Sequence, residues 1–242
     1  MERSELRKLW KVSFQEDEGY LDFFFSNVYS PSRCACITRD GKLAAALHWL
    51  DCTCQGQRLA YLYAVATHPA YRGQGLCRRL MDKTHAVLAG QGYAGTLLVP
   101  ADEGLWAMYA KMGYRACGGM RDFSCSAGAP IPLRAVSPEE YAALRRRLLG
   151  PKGVIQEGEN LLLLAQFHRL YAGDNLLLAA SVQEGKLFVP ELLGDPAAAP
   201  GVAAALGFQM GTFRVPGNDP FAMFRPLRED AVVPAYFGLA FD

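Results

Sequence analysis

No apolar run in this sequence reaches the length of a membrane-spanning helix. An excess of charge of one sign is missing too. Lys and Arg number 25 against 24 Asp and Glu, a formal net charge of +1, and so even a balance argues against a surface built for nucleic acid or another polyanion. The opening residues, MERSELRKLW, are charged and helix-forming, and do not read as a secretory signal. The seven cysteines are odd in number and outline no disulfide framework. Together these absences lead to the expectation of a cytoplasmic protein with no membrane and no nucleic-acid partner. Two Cys-x-Cys pairs, at Cys34–Cys36 and Cys52–Cys54, have the spacing of zinc ligands. A hairpin turning at Asp40–Gly41 would set Cys34 and Cys36 opposite Leu47 and Ala45. Cys52 and Cys54 would then lie on the order of 20 Å away, at about 3.3 Å per residue. The four do not converge, and buried free thiols with no metal are expected.

What the chain does have is apolar substance. Half of its residues are hydrophobic (51%), enough for a real core, and 242 residues allow one or two domains. The most informative stretch is YRGQGLCRRL, residues 71–80. Two glycines, flanked by arginines, stand immediately before a helix-forming run. A helix N-terminus offers unpaired N–H groups and a partial positive charge, which together favour an anion such as phosphate. Glycines let the backbone approach it closely. An ordinary tight turn is the other reading of the loop taken alone. A Walker loop is excluded, since no Lys-Ser/Thr follows. The dinucleotide fingerprint is excluded as well, because Arg78 stands where its third glycine belongs.

A third pattern remains, Arg/Gln-x-x-Gly-x-Gly/Ala, read here as Arg72-x-x-Gly75-x-Cys77. At this point the chain resembles the GNAT superfamily of N-acetyltransferases. The flanks extend the resemblance. Upstream, LAYLYAVATHPAY is an apolar, β-prone run stopped by Pro69. Downstream, Leu76, Leu80 and Val87 recur at helical spacing, with Met81, His85 and Leu88 nearby. GTLLVPADEG then reads as a strand running into a loop, followed by LWAMYAKMGY with Tyr109, Lys111, Gly113 and Tyr114. The resemblance implies an α/β (α+β) GNAT fold, a mixed and mostly antiparallel sheet flanked by helices. It implies acetyl-CoA as co-substrate and an amine of a small molecule or peptide as acceptor, and leaves a homodimer open. It implies that Arg72, Gly73, Gln74, Gly75, Leu76, Cys77 and Arg78 grip the CoA pyrophosphate, and that Val65, Ala66 and Thr67 meet the pantetheine arm. Asp102 stands where relatives often place a CoA-contacting Asn.

The resemblance covers about residues 1–127, with two helices expected in residues 1–30 and three antiparallel strands after them. SCSAGAPIP, residues 124–132, is small and proline-rich, and the boundary between residues 1–127 and 128–242 is placed there. The second half restarts with SPEEYAALRRRLLG, a Ser cap and an acidic first turn. NLLLLAQFHRLYAGDNLLLAASVQEGKLFVPELLGDP is expected as strands turning at residues 173–175 and 184–186. AAAPGVAAALG, in the place of a phosphate loop, has neither the arginine nor the paired glycines. A degenerate second GNAT-like copy is expected, with an unrelated cap as the alternative.

For chemistry, the resemblance assigns the thioester carbonyl to backbone N–H around Val65 and protonation of the leaving thiolate to Tyr109. A phenol, with an ordinary pKa near 10, carries its proton at neutral pH. Many relatives hold a glutamate near the position of Leu97, which takes no proton. His48, Tyr63, Asp102 and Glu103 are the remaining candidates for a base. QEDEGYLDFFF lies where the family shapes its acceptor pocket, and its acidic and aromatic groups would suit a cationic amine; a solvated acidic loop followed by buried phenylalanines is the other reading. The apolar tail VVPAYFGLAFD is expected either as a strand of the second half or as a docked segment. In the second case Asp242 would approach Tyr109, as base or amine anchor, an arrangement similar to the enhanced-intracellular-survival acetyltransferases. An acyl-CoA-binding module with little turnover is the alternative function.

Overall fold

The computed structural model describes residues 2–241. Helix α1 (Arg3–Phe14) buries Leu6, Leu9 and Trp10 at i, i+3 and i+4. It stops at Gln15, whose left-handed backbone (φ 59°) directs its N–H to the Lys11 carbonyl. Helix α2 (Glu18–Asn27) starts three residues later, after Asp17, whose carboxylate accepts the Tyr20 N–H at 2.8 Å. Three antiparallel strands follow: β1 (Cys34–Arg39), β2 (Lys42–Cys54) and β3 (Gln57–Thr67). The β1–β2 turn uses Asp40 and Gly41 at positive φ, as expected of a two-residue hairpin. The pairing of Cys34 and Cys36 needs correction. They face His48 and Ala46, one residue from the expected register, because a bulge between Ile37 and Thr38 shifts it.

Helix α3 (Leu76–Gly90) crosses to β4 (Gly95–Leu98), which runs parallel to β3. The buried face of α3 is Leu76, Leu80, Met81, Thr84, His85 and Leu88, while Val87 points to solvent. Helix α4 (Glu103–Ala110) and the long strand β5 (Arg115–Ser126) complete the first half. The second half holds β6 (Arg134–Ala135), α5 (Pro138–Leu148), β7 (Ile155–Gln156), α6 (Glu159–Phe167), β8 (Arg169–Gly173), β9 (Leu176–Gln183), β10 (Lys186–Leu193), α7 (Ala199–Ala205), β11 (Met210–Pro216) and β12 (Asp219–Pro226). Ser137 caps α5 as expected, accepting the Glu140 N–H at 3.2 Å. The segment before β8 is a helix and not a strand. A run of leucines satisfies both periods, and burial decides: Asn160, Leu161, Leu163 and Leu164 go inside and Leu162 stays out, which alternation would not give. Among the described residues no helix is long and apolar enough to cross a membrane.

Part of the element order of the first half recurs in the second, although no helix stands between β11 and β12 as α4 does between β4 and β5. Two helices precede three antiparallel strands, and a helix then leads to a strand parallel to the third, β10 beside β11. Yet one sheet runs through both halves, in the order β1-β2-β3-β4-β12-β5-β11-β10-β9-β8-β6, with β7 on β2. Strand β12 comes from the end of the chain and lies between β4 and β5, antiparallel to both. Strand β5 pairs β12 through residues 115–120 and β11 through 120–126. Where the chain passes from β11 to β12 it crowds β5, and a Cβ on Gly119 would sit 2.2 Å from the Gly217 carbonyl oxygen.

A buried ion pair fixes the second half. The Glu191 carboxylate, fully buried, accepts from Arg145 Nε (2.8 Å) and Nη2 (2.9 Å), Tyr141 Oη (2.6 Å) and Tyr236 Oη (2.9 Å). The remaining guanidinium nitrogen donates to the Val154 carbonyl at 2.8 Å. The terminal segment is docked and is not a strand. The Gln156 amide clamps Leu239, donating to its carbonyl at 2.6 Å and accepting its N–H at 3.2 Å. Phe237 packs edge-on to Tyr61 of β3, with ring centroids 4.9 Å apart. Asp242 lies outside the described residues.

Two outcomes follow from this architecture. A chain ending at residue 127 leaves β4 and β5 without their shared neighbour β12, and is expected to show no cooperative melt; a soluble fragment melting sharply in circular dichroism would contradict the pairing. Arg145→Met strands a buried carboxylate and should lower unfolding stability by about 3–5 kcal/mol. A denaturation midpoint close to that of the unaltered chain would show that Glu191 is not dependent on Arg145.

Candidate active site

The site begins where two parallel strands part. Pairing of β3 with β4 stops at Tyr61 and Leu97. Strand β3 continues to Thr67, while β4 ends at Leu98. Beside the parting, β3 is bulged: Ala46 faces Ala66 and His48 faces Tyr63, so Ala64 and Val65 together oppose Leu47. Ala64 adopts φ 51°, a left-handed conformation that costs a non-glycine residue roughly 1–2 kcal/mol. Bulges of this kind re-aim the backbone next to functional sites.

Beyond β3 the chain makes a 3₁₀ turn, Pro69–Tyr71, in which His68 Nδ1 accepts the Ala70 N–H at 3.2 Å. Arg72 Nε donates back to the Thr67 carbonyl at 3.2 Å. Gly73 and Gly75 both have left-handed backbones (φ 75° and 70°), and a Cβ on either meets no atom within 4 Å. The glycines are therefore required by backbone conformation, and the space in front of them stays open to a ligand. Gly75 is the N-cap of α3, so the N–H groups of Leu76, Cys77 and Arg78 occupy its first turn. Arg78 Nη2 donates to the Lys111 carbonyl at 2.8 Å and ties this turn to the end of α4.

A cavity of about 520 Å³ lies over this surface. Val65, Ala66, Thr67, Arg72, Gly73, Gly75, Leu76, Cys77, Arg78 and Tyr109 all line it. Gln74 and Asp102 do not. Asp102 instead caps α4, accepting the Leu105 N–H at 2.8 Å. Lys111 and Phe14 line the cavity too, although the sequence motif alone gave them no place there.

A second cavity, about 310 Å³, lies on the other side of Tyr109. Its walls include Trp10, Phe14, Glu16, Tyr20, Tyr63, Leu98, Val99 and Phe241. Phe14, Val65, Leu105 and Tyr109 belong to both cavities, so the two meet at the bulge and the tyrosine. Burial first, and Cys77 second, hold the Tyr109 phenol well above its ordinary pKa. Its ring leans on Tyr114 with centroids 5.8 Å apart. Behind it runs a chain of polar groups. Arg225 Nη1, on β12, lies 2.8 Å from His85 Nδ1 and donates to the Met112 carbonyl at 2.9 Å. Guanidinium only donates, so Nδ1 accepts and the imidazole proton sits on Nε2. That Nε2–H faces the Tyr114 hydroxyl at 2.8 Å, and Tyr114 in turn bonds Thr96 Oγ1 at 2.7 Å. Burial, and then Arg225, push His85 down to about 4, which keeps it neutral at physiological pH.

The candidate bases separate. His48 is fully buried, accepts the Ser30 N–H on Nε2 at 3.2 Å, and is pushed down to about 3 by desolvation and then by Arg33. It lines neither cavity, and nor do Asp102 and Glu103. Tyr63 does line the second cavity, with its hydroxyl bonded to that of Tyr20. Burial, followed by Tyr20, raises its pKa far above the usual phenol range. Glu16 is the residue that sequence reasoning passed over, though it stands within the quoted QEDEG stretch. Its signal was positional: it is the single residue between the C-cap of α1 and the N-cap of α2.

With this geometry in hand, known proteins give a consistent picture. Residues 2–117 match the family model described as "Acetyltransferase (GNAT) domain". No curated protein sequence matches the chain. Among solved structures, the fold resembles a GCN5-related N-acetyltransferase from Anabaena variabilis ATCC 29413, at TM-score 0.75 and 17% identity, over 93% of this chain and 70% of that one. It also resembles Eis1 from Mycobacterium abscessus, at TM-score 0.68 and 13% identity, over 94% of this chain and 72% of that one. A GCN5-related N-acetyltransferase from Sphaerobacter thermophilus matches at TM-score 0.53 and 14% identity, over 96% of this chain and 95% of that one. These identities speak for the fold alone, and the family model covers residues 2–117, the part of the chain that carries the parted strands, glycine loop and tyrosine helix: this part is a GNAT acetyltransferase domain.

Proposed function

We propose that this acetyltransferase moves an acetyl group from acetyl-CoA directly to a primary amine of a small molecule or peptide. The observation that carries the reading is the meeting of two cavities at Tyr109 and the Ala64–Val65 bulge. The larger cavity has the features an acyl-CoA needs. Its pyrophosphate would sit on the first-turn N–H groups of α3 and the open glycines, with Arg72 and Lys111 adding charge. The pantetheine arm would follow Val65–Thr67, and the thioester carbonyl would take the Val65 N–H. The smaller cavity would hold the acceptor.

Tyr109 stands where acyl donor and acceptor would meet. Its desolvated phenol stays protonated throughout the physiological range. The same dryness disfavours a free thiolate, so the leaving sulfur also gains from taking the phenolic proton. The second half repeats the first only from its helices to the strand parallel to the third, has no helix in the place of α4, and carries Pro200 and a run of alanines where the glycine loop would stand. We read residues 1–127 as the acetyl-CoA-holding copy and 128–242 as a degenerate one.

Tyr109→Phe should leave acetyl-CoA affinity unchanged and lower kcat by roughly 10²-fold or more, the scale of a lost general acid. Near-normal turnover in a thiol-release assay would remove Tyr109 from the chemistry. Gly75→Glu places bulk and negative charge in the phosphate cradle and strains a left-handed position. It should abolish acetyl-CoA binding while costing about 1–2 kcal/mol of fold stability, the usual cost of a left-handed non-glycine residue. Retained affinity in a folded variant would overturn the assignment of the loop.

A further inference from the structure

Among the described residues Glu16 is a carboxylate with no cation paired to it. Its neighbours in sequence are engaged: Glu18 pairs with Arg7 and Lys11, Asp22 with Arg7, and Asp17 caps α2. No ion pair of this kind reaches Glu16 among the described residues. The residue is also held in place. Gln15 closes α1 and Asp17 opens α2, so both flanking backbones are committed and Glu16 is presented from a turn with little freedom. It is the one charged side chain lining the second cavity among the described residues. The walls facing it are aromatic: Trp10 and Phe14 from α1, Tyr20 from α2, Tyr63 from β3, Tyr109 from α4 and Phe241 from the docked tail.

From this juxtaposition we infer that Glu16 is the residue that binds and deprotonates the acceptor, and that the acceptor is a monoamine carrying an apolar, arylalkyl body. This rests on the acetyl-transfer reading above. A single carboxylate in an aromatic cage recognises one ammonium, partly through the faces of its rings. Nothing on the described wall would satisfy a second cation, so polyamines are poor candidates. A peptide would have to bring polar backbone into a cavity of about 310 Å³ whose lining is mostly apolar.

The step balances without another reagent. The Glu16 carboxylate takes one proton from the ammonium. The freed nitrogen lone pair forms the C–N bond at the thioester carbonyl. The tetrahedral adduct collapses, the C–S bond breaks, and the thiolate takes the Tyr109 proton. The phenolate recovers a proton from the adduct nitrogen, and Glu16 releases its own to water. Glu16 is suited to this part, because partial desolvation, and then Asp17, raise its pKa above the ordinary carboxylate value. The titratable groups facing it are Tyr20, Tyr63 and Tyr109, all phenols, with Asp17 beside it in the turn.

The test compares phenethylamine and tryptamine with spermidine and a free-N-terminal peptide, using the full chain and acetyl-CoA. The two arylalkylamines should be acetylated best. Glu16→Gln should lower kcat/KM for them by about 10²–10⁴-fold, with acetyl-CoA affinity and melting temperature unchanged. The acid limb of its pH profile should move up toward the amine's own ionisation, and Glu16→Asp should recover part of the rate. Equal turnover by the unaltered chain and Glu16→Gln would overturn the role of Glu16. Preference for spermidine or the peptide would overturn the substrate class while leaving acetyl transfer intact. Failure of the unaltered chain to bind acetyl-CoA would instead remove the reading on which this inference stands.

Discussion

Everything about the site depends on two parallel strands that cease to pair. Once β3 and β4 separate beyond Tyr61 and Leu97, backbone that would have been consumed by a ladder faces a cleft. The left-handed Ala64 turns that backbone further out of register. A continuous sheet would have sealed the gap. Instead it opens on one side to the glycine loop and on the other to an aromatic cavity, and Tyr109 stands between them. Such an opening costs ladder hydrogen bonds and backbone strain. The surrounding packing must supply what the site forgoes.

Much of that support comes from the far half of the chain. Strand β12 takes the place beside β4 that β3 does not need. It brings Arg225 behind the tyrosine helix, where the guanidinium fixes the tautomer of His85 and so orients Tyr114 against Tyr109. The terminal segment lays Phe237 on Tyr61, and Phe241 forms part of the second cavity's wall. Phe167, at the end of α6, leans on Tyr20 with centroids 5.6 Å apart. The second half has no glycine loop of its own, yet it braces the cleft from behind and shapes the smaller cavity.

Local features were legible in the sequence. The arginine–glycine loop, the capped helices, the two-residue turns and the tyrosine helix each follow from short-range chemistry, and each stands where its residues put it. What could not be read was set by distant partners. No pattern near residue 219 says that this strand pairs with residues 95–98. Ala64 has no propensity for the left-handed region, so the bulge is imposed by the sheet around it. The leucine run of α6 fits either period until its neighbours bury one face. The shifted register of Cys34 and Cys36 arises from an irregularity that plain alternation does not encode. Glu16 was visible as an acidic residue. That its neighbours would be paired and that it would find no cation among the described residues was a property of the folded helical hairpin alone.

The asymmetry between the halves offers the most direct measurement. The repeated elements would allow two acyl-CoA sites, but among the described residues only the first half has a pair of positive-φ glycines, Gly73 and Gly75, just before the helix that follows its third strand. A calorimetric titration of the full chain with acetyl-CoA should saturate at one molecule per chain. A stoichiometry of two, or no binding at all, would contradict the assignment of the cofactor cleft to residues 65–78 and the tyrosine helix.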